Sequence, residues 1–353
     1  PTSDLKIKPE ITAHGGEIKS AVPGGGYEKL SGTSMAAPNQ AGATALVRQY
    51  VKYSGKFGNY ENGEIDDVDV TKIVNQLMMS STDILYNKNG LAYAVRKQGA
   101  GLMSLTKTAS TSSYILTFEK EDLEKDLSGM TDAELLSLAM DKSKLELGDD
   151  KNRTGVYKMT FGINNFSNQT ATYDVGSIAL TEGINKEFTS HGDATVTMNG
   201  YGLTGTTKVN SVSGGSSSGN KVTVAAGKIA VVTVTLTLSE EDIAYLEQEY
   251  KNPAEKIFKY GMYIEGFITL AGQDGVTDIN VPFLSFYGDW TEAPIFDEEY
   301  YDTNTDELND GLNSEDKLMA DAYATRVIGG LYSDYIMTLG TYYFVQDPSA
   351  TQI

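Results

Sequence analysis

Residues 30–42 read LSGTSMAAPNQAG and place one serine, Ser34, between a Gly-Thr pair and a run of small residues. A serine hydroxyl attacks a carbonyl only when a base takes its proton and backbone donors stabilise the oxyanion. Gly32 leaves room for a substrate backbone, and a helix beginning at Ser34 directs free N–H groups towards negative charge. Pro38 is compatible with a helix start. These residues predict either a nucleophile or an ordinary helix cap, and alone they leave both open.

The wider segment carries a family resemblance. GTSMAAP followed by AG resembles the nucleophile signature of the subtilisin-like serine proteases, in which this serine opens the central helix of the catalytic domain. The residues before it, LKIKPEITAHGGEIKSAVPGGGYEKLSGTSMAAP, resemble the cell-envelope branch, the lactocepin and complement-cleaving peptidase type of Gram-positive bacteria. Later segments resemble the end of that catalytic domain, RKQGAGLMSLTKTA, and the β domain that follows it, YGMYIEGFITL and VPFLSFYGDW.

The resemblance implies a serine endopeptidase that hydrolyses peptide bonds in proteins through a Ser-His-Asp triad. Ser34 would be the nucleophile, and its backbone N–H would supply one oxyanion donor. Gly32, Thr33 and Met35 would border the bound substrate. The family order along the chain is Asp, His, the oxyanion-hole Asn and then Ser, and only 33 residues precede Ser34. The resemblance therefore implies a second partner besides the protein or peptide substrate, the upstream half of the same precursor.

Neither histidine of the chain is predicted to be the base. His14 lies in TAHGG, where the family more often has proline, and is interpreted as a loop substitution. His191 lies in TSHGDA, inside the predicted β domain, and is interpreted as a solvated turn residue. We therefore expect the chain alone to be inactive, because it carries the nucleophile without the His, the Asp or the oxyanion Asn.

The first 150 residues are predicted to hold two segments. Residues 1–112 mix short extended pieces with helices, and we assign them to the C-terminal part of an α/β subtilisin-like catalytic domain. The helix after Ser34 is suited to deep burial, and without the upstream half we expect this chain to leave apolar surface exposed on it. Apolar residues at helical spacing predict a second helix over 70–85. Residues 113–150 are acidic, with a capping box at Thr131, and are predicted to be a linker or an acidic helical insertion.

The pattern changes to period two over residues 151–297, with turn-rich spacers between the strands. This spacing predicts an antiparallel sandwich, which the resemblance identifies as a fibronectin type III-like domain. Residues 211–220, SVSGGSSSGN, are predicted to be a loop, and residues 298–353 a connector towards a further β domain. The predicted fold class is therefore multidomain, an α/β subtilisin-like portion followed by an all-β fibronectin type III-like sandwich.

Composition excludes several classes of protein. The 353 residues exceed one ordinary core, and the net charge of −20 argues against nucleic acid or an anionic membrane as a partner. The absence of cysteine excludes disulfides and thiol catalysis. We find no apolar run of about 18 residues, the length that a membrane span needs. Pro1 is expected to be an internal point of a longer precursor, which the resemblance places outside the cell, secreted or wall-associated.

One acidic stretch resembles a calcium-binding loop in its spacing of oxygen ligands. DTNTDELNDGLNSED, from Asp302, places oxygen ligands at alternate positions. Glu307 stands where such a loop needs glycine and Asn313 where a bidentate Glu is expected, so a solvated loop is favoured, and no metal or cofactor is predicted. An alternative function also stays open, a non-catalytic binding or adhesion module that retains a protease scaffold. Intact Asp and His motifs before Pro1 would decide against it.

Overall fold

The computed structural model describes residues 2, 4–185, 195–248, 258, 260–292, 335–338 and 341–344. The chain divides into two compact units, Pro1–Gly288 and Asp289–Ile353. The first unit holds the helix-rich N-terminal region and the β-rich region, in the order that the sequence predicts. The predicted loop from Asp302 and the histidine His191 lie outside the described residues.

The N-terminal region consists of helices and one small hairpin. Its elements are β1 (Ile18–Val22), β2 (Gly26–Leu30), α1 (Thr33–Tyr53), α2 (Asp67–Ser80), α3 (Val95–Gln98) and α4 (Leu105–Ser110). α1 packs on α2 because Ala43, Val47 and Val51 share a core with the apolar face of α2. Among the described residues of this region, parallel pairing is limited to one bridge, between Thr12 and Leu102.

The second helix spans Asp67–Ser80 rather than the predicted 70–85. It begins earlier because Asp66 accepts hydrogen bonds from the amides of Val68 and Asp69 and completes a capping box. It ends earlier because Asp83 exchanges backbone hydrogen bonds with Leu102, which takes the chain out of the helix. The periodicity of the apolar residues gave no sign of this pairing.

Eleven described strands of the first unit form two sheets. The strands are β3 (Ser113–Leu116), β4 (Leu145–Asp150), β5 (Val156–Asn165), β6 (Ala171–Asn185), β7 (Thr195–Leu203), β8 (Thr206–Ser213), β9 (Ser216–Ser218), β10 (Lys221–Val224), β11 (Lys228–Thr237), β12 (Gly261–Gly272) and β13 (Ile279–Gly288). One sheet has the order β4-β13-β12-β6-β10-β9 with β7 paired to β6, and the other has the order β3-β5-β11-β8. All the pairs are antiparallel except β13 with β4.

The larger sheet is covered on both faces. Every residue of β13 is buried. If one face of the sheet met solvent, buried and exposed residues would alternate along this strand. Val281 and Phe283 point into the core between the two sheets. Leu284 instead joins a second cluster that contains Ile7 and Val95 of the N-terminal region. The helix-rich region and the β-sandwich therefore pack directly against each other.

The acidic segment 113–150 differs from the expectation of a linker or insertion. It contributes β3 to the smaller sheet and β4 to the larger one, so it is part of the sandwich at both ends. Between them lies α5 (Asp132–Leu138), whose capping box joins Thr131 and Glu134 as the sequence predicts. The sequence did not indicate these two strands, because the segment is acidic overall and because their partner strands lie far away along the chain.

Two further segments complete the description. The predicted loop 211–220 is partly extended, since β8 continues to Ser213 and β9 spans Ser216–Ser218. α6 (Glu240–Leu246) follows β11. In the second unit, the described strands β14 (Tyr335–Thr338) and β15 (Thr341–Phe344) form an antiparallel hairpin. The rest of the predicted connector 298–353 lies outside the described residues.

Candidate active site

Ser34 lies in the first turn of α1, and its side chain is exposed. The helix is capped by Gly32, whose carbonyl accepts hydrogen bonds from the amides of Met35 and Ala36 at 3.0 and 3.2 Å. No side chain caps the helix, so neither Thr33 nor Ser34 plays the role of an ordinary capping residue. The helix therefore starts without the side-chain cap that the second interpretation of this motif requires, and the nucleophile stays a prediction.

The amide of Ser34 is available for a ligand. Among the described residues, no acceptor is bound to the backbone N–H groups of Thr33 or Ser34. These are two of the N–H groups that every helix leaves unsatisfied at its start, where the helix dipole also favours negative charge. An exposed serine and its unpaired amide therefore lie together at a helix N-terminus.

The turn before α1 is held by a close backbone contact. The amide of Gly32 donates to the carbonyl of Gly15 at 2.8 Å. A Cβ atom on Gly15 would lie 2.6 Å from the carbonyl oxygen of Gly32 and 3.0 Å from the Cβ of Ala36. Only glycine allows this approach, so Gly15 fixes the position of the turn. Nothing in the local pattern around TAHGG indicates this role of Gly15.

A cavity of about 460 Å³ opens beside this turn. Gly32 and Thr33 line it, together with Gln40 of α1. The side-chain oxygen of Gln40 is buried and has no hydrogen-bond partner among the described residues. A buried amide oxygen without a partner is costly.

One side of α1 faces solvent, in agreement with the expectation that this chain leaves apolar surface exposed on the helix after Ser34. Ala43 and Val47 are buried against α2, whereas Ala41, Ala45 and Leu46 are exposed, with Leu46 at 58%. The physical reason is that a helix of small and apolar residues needs neighbours on several sides. The described residues supply neighbours on one side only.

The described residues contain no complete triad around Ser34. His14 is exposed, and its backbone carbonyl accepts a hydrogen bond from the side chain of Asn39 at 3.4 Å. No hydrogen bond joins the Ser34 hydroxyl to His14 or to any other base in this part of the chain. The geometry thus brings together Gly32, Thr33, Ser34 and Met35 in one turn, and it leaves the proposed base unassigned.

The described residues hold neither a metal-binding cluster nor a membrane-spanning helix. Within these residues, no group of three or more His, Cys, Asp or Glu side chains could hold a metal ion. No helix among them combines the length and the apolar character that crossing a membrane requires.

Comparison with known proteins agrees with the resemblance read from the sequence. Residues 1–101 match the subtilase family, and residues 145–284 match the Fn3-like domain. The PII-type proteinase of Lacticaseibacillus paracasei is 28% identical over 301 residues, which cover 84% of this chain and 13% of that protein. The C5a peptidase of Streptococcus pyogenes is 26% identical over 318 residues, 86% of this chain and 22% of that protein.

The chain therefore spans only a small part of these relatives. Among solved structures, the secreted serine protease VesC from Vibrio cholerae aligns over 41% of this chain and 22% of that one with 12% identity. Its TM-score of 0.21 is too low to support any argument. The family matches carry the assignment: the chain joins a subtilase region to an Fn3-like domain and matches the cell-envelope proteinase branch of the subtilases.

Proposed function

We propose that this chain supplies the nucleophile of a subtilisin-like serine endopeptidase, and that Ser34 is that nucleophile. The observation that carries the proposal is the pairing of an exposed hydroxyl with a free amide in the first turn of α1, in a turn that no side chain caps. The similarity of residues 1–101 to the subtilase family supports it.

The geometry suggests how the chemistry divides among the groups. The Ser34 hydroxyl gives its proton to the base and attacks the peptide carbonyl, while its own N–H donates to the developing oxyanion. The peptide C–N bond then breaks, the amine leaves with that proton, and water later hydrolyses the acyl-enzyme that remains. Gly32 leaves room for the substrate backbone, Thr33 lines the cavity beside it, and Met35 borders the leaving-group side. These substrate contacts are part of the proposal, and the role of Met35 is taken by analogy with the subtilases.

The base, its orienting carboxylate and the second oxyanion donor must come from elsewhere. We propose that a partner segment, the upstream half of the precursor, brings the His, the Asp and the Asn. The exposed side of α1, with Ala41, Ala45 and Leu46, supports this because it offers a small, apolar surface to a packing partner.

The substrate class proposed is a protein or peptide, and the chemistry needs no cofactor. The relatives PII-type proteinase and C5a peptidase carry proteolytic names, which supports this substrate class for the present chain. Their assignment to the cell-envelope branch supports a secreted or wall-associated location outside a Gram-positive cell.

A second candidate is a non-catalytic binding or adhesion module that keeps the protease scaffold. The lack of a base beside Ser34 among the described residues is the observation that favours it. The two candidates differ in one respect that can be measured, since only a protease depends on the Ser34 hydroxyl.

The test compares Ser34→Ala with Ser54→Ala, a control at the other end of α1. Both variants are made in a protein that also contains the proposed His and Asp segment, and hydrolysis of a casein-type substrate is followed. We expect Ser34→Ala to lower turnover by about a million-fold and the control to leave it unchanged. More than a few per cent of activity in Ser34→Ala would remove Ser34 from the role.

A further inference from the structure

Arg96 of α3 joins the N-terminal region to the sandwich through two buried carboxylates. Its backbone N–H donates to Oε2 of Glu265 at 2.9 Å, and its Nε donates to Oε1 of the same residue at 2.8 Å. Its Nη2 donates to Oε1 of Glu182 at 2.9 Å. Glu265 lies on β12 and is 1% exposed, and Glu182 lies on the neighbouring β6.

The surroundings of this cluster make it costly to break. The guanidinium Cζ lies 3.7 Å from the centre of the Tyr263 ring, a distance suited to a cation–π contact. The other oxygen of Glu182 accepts from the amide of Tyr263 at 3.1 Å. Removing one partner of a buried charge pair leaves the remaining charge without compensation. Loss of Arg96 would leave the carboxylates of both Glu182 and Glu265 without a compensating charge.

The segment after Arg96 is tied to the residues that lead to the active-site turn. Gly99 ends α3 with φ of 61°, and a Cβ there would lie 2.3 Å from the carbonyl carbon of Glu10. The amide of Ala100 donates to the carbonyl of Glu10 at 2.9 Å. The amide of Thr12 donates to the carbonyl of Gly101, also at 2.9 Å. Residues 99–101 therefore hold residues 10–12 by direct backbone contacts.

The same strand-like segment continues to the turn that presents the candidate nucleophile. Three residues beyond Thr12, the carbonyl of Gly15 accepts from the amide of Gly32, the capping residue of α1. A continuous series of contacts therefore connects the sandwich to Gly32. It passes through the side chain of Arg96, the backbone of residues 99–101 and the backbone of residues 10–15.

We propose that Arg96 is a positioning residue, through which the β-sandwich holds the turn that carries Ser34. The proposal deepens the proposed function and, for its catalytic meaning, rests on it. It gives the Fn3-like domain a direct part in the site: the two glutamates fix α3, α3 fixes residues 10–12, and these fix the Gly15–Gly32 contact. A misplacement of about 1 Å in a reacting group can cost on the order of a hundred-fold in rate.

The first test measures amide hydrogen exchange at Gly32 in the full chain. Arg96→Gln is compared with Arg153→Gln, a control that removes an arginine paired to Glu247 at 3.1 Å within the sandwich. The variants are compared under conditions in which their free energies of global unfolding are equal, so that differences in exchange report local opening. We expect the exchange rate of the Gly32 amide to rise at least about fivefold in Arg96→Gln and to stay at the wild-type rate in the control. Equal exchange in the two variants overturns the proposal.

A milder substitution covers the case in which Arg96→Gln does not fold. Arg96→Lys keeps the positive charge and the backbone hydrogen bond to Glu265 but loses the guanidinium fork. We expect a smaller rise in exchange at the same amide. In addition, Arg96→Gln combined with Glu265→Gln is expected to recover part of the protection at Gly32, because one uncompensated carboxylate is removed. Wild-type exchange in Arg96→Lys together with no recovery in the double variant contradicts the proposal.

The second test measures activity once the His and Asp segment is present. We expect Arg96→Lys to lower kcat several-fold with KM unchanged, and Arg153→Gln to change neither constant, since Arg153 is paired to Glu247 and is not part of the route to the Ser34 turn. Failures of the two proposals are distinguishable. Full hydrolysis by Ser34→Ala would refute the proposed function, and it would leave the exchange result untouched. Unchanged exchange at Gly32 with an essential Ser34 would refute the positioning role alone.

Discussion

The carbonyl oxygen of Gly15 accepts a 2.8 Å hydrogen bond from the amide of Gly32, one residue before the Thr33–Ser34 pair. This contact sets the direction in which α1 starts. It also requires that residue 15 carry no side chain, because a Cβ would lie 2.6 Å from the Gly32 carbonyl oxygen. The geometry of the candidate nucleophile thus depends on a glycine distant from it in sequence.

Gly15→Ala is therefore expected to destabilise the chain by about 1–3 kcal/mol, the usual cost of forcing extra atoms into a packed contact. Gly16→Ala is a matched control, since a Cβ on Gly16 meets nothing within 4 Å. It should change the free energy of unfolding by no more than about 0.5 kcal/mol. Denaturant unfolding of both variants measures the difference. Equal stabilities would mean that the Gly15–Gly32 approach is not tight.

The stability of the sandwich should depend on residues 113–150, the segment that the sequence predicted to be a linker or insertion. A fragment of residues 113–292 contains β3 and β4, whereas a fragment of residues 151–292 lacks both. We expect both fragments to show a β-type circular dichroism spectrum, and the longer one to melt cooperatively at a clearly higher temperature. The reason is that β5 and β13 each lose a paired neighbour in the shorter fragment. Identical melting temperatures would show that β3 and β4 add nothing.

The pH dependence of stability should carry a contribution from Glu182. Burial raises the pKa of this carboxyl above its ordinary value of 4.5, against the opposing effect of Arg96. A raised pKa in the folded state means that the stabilising contribution is fully present below the ordinary value. It is lost as the pH rises through the folded-state pKa. Glu182 should therefore weaken the fold on going from acid to neutral pH.

The measurement is the difference in unfolding free energy between wild type and Glu182→Gln across pH 4 to 8. Glutamine cannot ionise, so the variant should lack this decline and gain on the wild type as the pH rises. Glu61→Gln, at an exposed position, serves as the control and should follow the wild type. A difference between Glu182→Gln and wild type that stays constant over the whole pH range would contradict the raised pKa.

Local patterns in the sequence were sufficient for part of this structure. The small residues around Ser34 indicated the start of α1, and Thr131 with Glu134 indicated α5. Period-two segments indicated most strands, because one face of each meets the core. In each case, the deciding interactions lie within a few residues along the chain.

Contacts between residues that are distant along the chain could not be predicted from local sequence patterns. Arg96 and Glu265 are separated by 169 positions, and no periodicity links them. β3 and β4 owe their conformation to partners far along the chain. The candidate nucleophile was therefore predictable from its motif, whereas Gly15 and Arg96, which hold it in place, were not.

The central claim is that Ser34 is a nucleophile whose base lies on a partner segment, and labelling by a fluorophosphonate serine probe tests it most directly. The chain alone should not be labelled, because loss of the base leaves the hydroxyl protonated at neutral pH. Addition of a separately expressed segment with the His and Asp motifs should produce labelling at Ser34, and Ser34→Ala should abolish it. Strong labelling of the isolated chain would contradict the account, since it would place a base within the chain, with His14 the first residue to test.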